Sequence, residues 1–272
     1  MAKKSLSEMS FLDHLEELRW LLVRSTIAVV LLAVVVFFFS DFIFDQVVFG
    51  PTKVDFVTYR FFCEASHYLG FADTICIEEL PFTIQNTSME GQVNVFIWMG
   101  ITAGFILGFP YILWELWRFI SPALYENERK YAKVFIFTAS LLFFMGVLFG
   151  YFVIVPMSVN FLASFSISTV VKNDINLDSY IGMVKTSVLA GGIFFELPII
   201  VYLLTKLGLI KPSFLQNTRR YAIIIVLIIS AIVTPPDVVS QITVAVPMLL
   251  IYEMSILISR IVYKNQLKAQ NG

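Results

Sequence analysis

Four predominantly apolar runs, at 21–40, 93–113, 134–155 and 181–205, each reach the length of about 20 residues that an α-helix needs to cross a bilayer. A fifth apolar stretch, 221–258, is broken by Thr234-Pro235-Pro236-Asp237, residues suited to a tight turn. Reading that break as a hairpin gives two further spans, 221–234 and 240–258. The first is only about 21 Å long by helical rise. One long kinked helix is the alternative, but it would place the basic C-terminus on the outside. The sequence therefore predicts an all-α, polytopic membrane protein with six transmembrane helices, the last two short. Pro110, Pro198 and Pro247 interrupt helical runs and predict bent spans, packed into a concave shape. Only 14% of the residues are charged, against about 25% in soluble domains, and 58% are hydrophobic.

The charges are sorted by region, and they orient the spans. Basic residues cluster in the N-terminal segment (Lys3, Lys4, Arg19, Arg24), after the second span (Arg118, Arg129, Lys130, Lys133), after the fourth (Lys206, Lys211, Arg219, Arg220) and in the tail (Arg260, Lys264, Lys268). The remaining four are Lys53, Arg60, Lys172 and Lys185, while 41–92 is acidic. Both termini and the two basic loops are thereby expected in the cytoplasm, with 41–92 outside. The chain is expected to be one integral membrane domain, 1–272. It has a cytoplasmic amphipathic helix at 1–20, an external cap loop at 41–92 and a cytoplasmic tail at 259–272. The first apolar run has no small-residue cleavage site after it and is expected to be retained. No segment is basic enough for nucleic acid. No internal repeat is evident, which argues against duplicated transporter folds.

Chemistry-bearing motifs are few. Nucleotide, zinc-protease and serine-hydrolase signatures are absent, so the chain does not read as an enzyme, and no cofactor is implied. The histidines, His14 and His67, are expected on opposite sides of the membrane, so no metal site is expected. Cys63 and Cys76 share the external loop, where the compartment is oxidising and a disulfide is expected; two buried apolar thiols are the alternative.

Three regions carry candidate polar function. In 10–19, Ser10 with Asp13 resembles a capping box, and Phe11, Leu15, Leu18 and Leu22 share one helix face. Asp13 and Glu17 lie one turn apart on another face, which by itself describes a solvated helix side. Trp114, Trp117 and Tyr125 read as interfacial anchors. Glu126 and Glu128 follow them, open to local pairing with Arg129 and Lys130. Glu196 sits about 13 Å inside the cytoplasmic end of its span, a depth at which a carboxylate faces protein, water or a partner.

The phrases FLDHLEELR, GFPYILWELWRFISPALYENERK, FGYFVIVP, FFELP and TPPDVVSQ occur in this order, each at the matching element of a six-span chain. Together they resemble the TatC family, the multispanning subunit of the twin-arginine protein translocase of the bacterial cytoplasmic membrane, over about 10–260. The loop 41–92 is longer than the family's, and nothing about that loop is carried over.

The resemblance implies a receptor that binds twin-arginine signal peptides of folded proteins at its cytoplasmic face. With small single-span Tat subunits it would support export driven by the proton gradient, in a complex that can hold several copies. Glu17 and Glu128 match the carboxylates that receive the signal arginines, and Arg19 matches the arginine of the first motif. Glu196 matches the intramembrane glutamate. Thr234 and Gln241 match polar positions linked to docking of the single-span partners. A rival of another class is a proton-coupled small-molecule transporter using Glu196 as a relay.

Overall fold

The computed structural model describes residues 11–68, 76, 82–121, 132–166, 168, 174–235 and 237–271. Helix α1 (Phe11–Phe37) carries the N-terminal amphipathic stretch straight into the first apolar run, because no glycine or proline intervenes to stop it. Helix α3 (Gly91–Ile120) continues through Pro110. Between them the chain makes short helical turns at 40–52 and then α2 (Val57–Tyr68).

The third span is α4 (Ala132–Phe149), a wide helical turn at Gly150–Ile154, and α5 (Val155–Ser164). The fourth is α6 (Leu177–Phe195) and α7 (Leu197–Lys206), broken at Glu196 ahead of Pro198. A short α8 (Pro212–Asn217) leads into α9 (Arg219–Val233) and α10 (Val238–Asn271).

Among the described residues five stretches are long and apolar enough to cross a membrane alone: His14–Phe37, Gly91–Ile120, Ala132–Ser164, Leu177–Lys206 and Val238–Leu267. Helix α9 is the sixth and is short, 15 residues or about 22 Å. The final helix, expected from the sequence to be short, is long and outruns its apolar stretch. Its 34 residues carry the helix on through the expected tail. Side-chain links to α7 explain the extension: Thr205 and Ser259 share a buried hydrogen bond of 2.8 Å, and Gln266 Nε2 donates to the Lys206 carbonyl at 2.7 Å.

Among the described residues the all-α architecture carries one β feature. Strands β1 (Thr83–Gln85) and β2 (Asp174–Asn176) pair in parallel, Ile84 opposite Ile175. The pairing joins the loop before α3 to the loop before α6 and so puts both at one end of the bundle. The main core lies near that end, where Val48, Val155, Val159, Tyr180, Ile181 and Val184 are buried together.

The first interhelical loop is fastened to this core by hydroxyl groups. Tyr180 donates to the Val48 carbonyl and Tyr151 to the Val47 carbonyl, both at 2.6 Å. Tyr59 donates to the carbonyls of Pro51 and Pro156, and burial pushes its phenol well above the usual range. Pro156 has no N–H to give the carbonyl four residues back, Phe152, and Thr58 Oγ1 donates to that carbonyl at 2.7 Å. Cys63 and Cys76 are joined by a disulfide within the same segment.

Helices α1 and α3 approach to backbone contact. Gly100, Gly104 and Gly108 recur at one-turn spacing along α3. A Cβ on Gly104 would lie 2.6 Å from the Val29 carbonyl oxygen and 2.8 Å from the Ala33 nitrogen. Gly104→Val is expected to lower stability by about 1–3 kcal/mol, since backbone rather than a pliant side chain must give way. Gly182→Ala, with nothing within 4 Å of the added atom, serves as the tolerated control. Thermal unfolding of the purified protein in one detergent compares the two; equal midpoints would refute the close-contact argument.

Candidate functional site

Below the glycine contact, at the end where α1 begins and α3 finishes, two side-chain pairs clamp the helices. His14 stacks on Phe119 with ring centroids 4.5 Å apart. Arg24 Nη1 lies 3.4 Å from Glu115 Oε2. Between these contacts is a polar cleft of about 160 Å3, walled by Glu17, Trp20 and Arg24 from α1 and by Glu115, Arg118 and Phe119 from α3. Glu17 is exposed on this wall. Arg19 is exposed too, but two residues on, about 200° around the helix, it is not part of the cleft wall. Glu128, with Ser10 of the expected capping box, lies outside the described residues.

Glu115 is the member that sequence reading missed. It is 8% exposed, and its Oε1 accepts the Tyr111 hydroxyl at 3.2 Å. The available signal was a charge match: Arg24 stands just inside the first apolar run and Glu115 just beyond the second, near the same end. A larger apolar groove of about 880 Å3, between α3 and α4, adjoins this face of α3 and includes Tyr111, Trp114 and Trp117.

The second group of polar residues is divided between two places. Glu196 sits at the break between α6 and α7, 7% exposed, and its Oε1 has no hydrogen-bond partner among the described residues. Thr234 and Gln241 flank the turn between α9 and α10. Thr234 Oγ1 donates to the Ser230 carbonyl at 2.7 Å, and Gln241 Nε2 to the Leu227 carbonyl at 3.1 Å. Among the described residues no hydrogen bond joins Glu196 to either. The nearest shared packing is an apolar cluster in which Phe194 meets Val226, Val244 and Met248.

Asp237 organises this turn. Its carboxylate accepts the N–H groups of Val239 at 2.8 Å and Ser240 at 3.0 Å, capping α10. Among the described residues one cluster has metal-ligating atoms, Cys63, His67 and Cys76, but its two sulfurs are bonded to each other.

Fold and site together define a multi-span helical membrane protein with a charged cleft at one end of its helices and a buried carboxylate within one of its spans. A family profile described as Sec-independent protein translocase protein (TatC) matches residues 13–247. The chain is 40% identical to the Sec-independent protein translocase protein TatC of Blattabacterium sp. subsp. Periplaneta americana, covering 97% of this chain and 100% of that one. It is 33% identical to TatCy of Bacillus subtilis, over 99% of this chain and 96% of the relative. Among solved structures it superposes on a crystal structure of the twin arginine translocase receptor TatC. The TM-score is 0.71 at 32% identity, over 92% of this chain and 99% of that one. The chain belongs to the TatC family of Sec-independent protein translocase proteins, which are transport components and not enzymes.

The Asp237 cap yields a prediction. Burial pushes its carboxyl up, but bonds from the Ser240 side chain and from the Ser240 and Val239 N–H groups outweigh this and hold it below the usual carboxylate range. The stabilisation is therefore present above the unfolded carboxyl value of about 3.9 and is lost as pH falls through the lower folded value. Asp237→Ala should cost about 1 kcal/mol near neutral pH, with the deficit shrinking below about pH 4. Unfolding midpoints at both pH values test this; a deficit independent of pH would contradict the charged cap.

Proposed function

We propose that this chain is the receptor subunit that recognises twin-arginine signal peptides of folded proteins at the cytoplasmic end of its α1–α3 cleft. The observation that supports it best is the placement of Glu17. This exposed carboxylate lines a polar cleft at the membrane border, where an N-terminal signal entering the bilayer would arrive. A guanidinium pair needs planar, fixed acceptors, and carboxylates supply that geometry. Glu17 and Glu128 are the acceptors in this reading. Arg19, on the far side of α1, would help set the polarity of the rim.

In this reading both termini, the α3–α4 connection and 206–220 lie in the cytoplasm of a bacterial cell and the segment 41–92 lies outside, which the distribution of basic residues supports. The 272 residues form one integral membrane domain in this reading. Single-span Tat subunits are its partners, docking laterally along a face that runs from Thr234 and Gln241 towards Glu196. A buried carboxylate oxygen without a hydrogen-bond partner among the described residues, next to a short helix, favours an incoming helix with a polar residue. A small-molecule transporter built on Glu196 would move solute in vesicles of the isolated protein; a receptor alone should move none.

Two experiments test the reading. The purified protein should bind a synthetic twin-arginine signal peptide and lose it when both arginines become lysines. Glu17→Ala and Glu128→Ala should each weaken binding by about 2–5 kcal/mol without unfolding the protein. Normal binding by both variants would remove these residues from the site. For the docking face, Thr234→Cys and Gln241→Cys should crosslink to one face of the partner's span. No crosslink at either position, with the complex intact, would leave Glu196 as an internal structural group.

A further inference from the structure

The cleft contains a second carboxylate that the reading above leaves without a role. Ionised, Glu115 offers about four acceptor sites on two oxygens. Among the described residues it receives one hydroxyl, from Tyr111 at 3.2 Å, and one guanidinium nitrogen, from Arg24 at 3.4 Å. Charge-assisted pairs of this kind run at about 2.7–2.9 Å and frequently close with two parallel bonds. A buried carboxylate with a single long ionic contact is under-paired for its depth.

Arg24 differs from it in every respect. Its side chain is 40% exposed, against 10% for that of Glu115. In the same position its guanidinium lies 5.9 Å from the centre of the Trp20 ring, at the outer limit of a cation–π contact, so the cleft rim offers it an aromatic neighbour to move onto. The acceptor is fixed inside α3, and the cation that occupies it stands half in water on a flexible stem.

We propose that Glu115 is a further guanidinium acceptor of the cleft and that Arg24 is its resident placeholder, which an incoming arginine of the signal displaces towards Trp20 and solvent. The proposal rests on the receptor reading of the cleft. The exchange has a direct consequence for specificity. A guanidinium can bond Glu115 through two nitrogens and so outcompete the single contact of Arg24. A lysine ammonium is a point charge and gains no such second bond. Arg24 is then the group that makes the cleft demand arginine: it sets a threshold that only a better fork can pass. The cleft wall otherwise holds Glu17 and Arg118, which balance each other, so the exchange leaves the cleft's charge set by the ligand.

Binding of a fluorescent twin-arginine signal peptide and of its twin-lysine counterpart to the purified full-length protein tests this. Arg24→Gln should admit the lysine peptide far better, lowering the arginine-to-lysine preference by about tenfold or more. Arg24→Lys, a weaker placeholder, should fall between it and the native protein. Glu115→Gln should weaken the arginine peptide by about tenfold, and Arg24→Gln added to it should change the preference no further. Arg118→Gln removes a cleft cation that is not paired with Glu115 and should strengthen both peptides alike. An unchanged preference in Arg24→Gln, or the same loss in Arg118→Gln, would overturn the placeholder. So would an effect of Arg24→Gln that persists without Glu115. Failure of the native protein to bind the arginine peptide would instead bring down the receptor reading itself, and the inference with it.

Discussion

The approach of α1 to α3 at Gly104 is the contact on which the candidate site depends. A backbone carbonyl and a backbone nitrogen of α1 occupy the space where a side chain would stand, so the axial register of the two helices is fixed there. Hydrocarbon provides no hydrophobic force to press helices together, and close packing of small residues supplies the attraction instead. Three turns further along α3, that register puts Glu115 opposite Arg24, and one turn beyond puts Phe119 opposite His14. The cleft holding Glu17 is the gap left between these two clamps. A small rotation of α1 would carry Glu17 out of it.

At the opposite end of the bundle the governing constraint is backbone satisfaction. Each proline inside a span leaves a carbonyl without its usual N–H donor, and in lipid such a group must find another. Thr58 resolves the case at Phe152, and the same hydroxyl-to-carbonyl device recurs at Val47, Val48 and Pro51. The loop between the first two spans is in this way built into the bundle. Its aromatic and hydroxyl content, which separates it from a disordered linker, is the content this docking uses.

The spans were legible because lipid imposes one simple rule, a run of apolar residues of bilayer length, and hydropathy reads it directly. The break at Pro198 was equally visible, whereas Pro110 and Pro247 stand inside continuous helices. The helical tail was not visible, since its order comes from Ser259 and Gln266 bonding a distant helix, and such pairings leave no local pattern. The β1–β2 pairing is hidden for the same reason, with 91 positions separating Thr83 from Asp174. Glu17 was singled out by motif, but its place on a cleft wall had no signal in the sequence. Glu115 escaped because a glutamate between two tryptophans at a membrane border reads as a solvated anchor. Only the position of Arg24, one helix away, turns it into a buried partner.

Glu115 and Glu196 present the same energetic problem with different solutions. Each is a carboxylate nearly removed from solvent on a helix bordered by lipid. Glu115 is met by a cation on a neighbouring helix, poorly seated but present, so its surroundings already have the form of a guanidinium site. Glu196 has an oxygen with no partner among the described residues and lies where its own helix breaks ahead of a proline. The first is suited to exchanging one charged partner for a better one. The second is suited to acquiring a polar partner from outside the chain. In the receptor proposed above, the first arrangement would serve a ligand at the rim and the second a helix arriving at the flank.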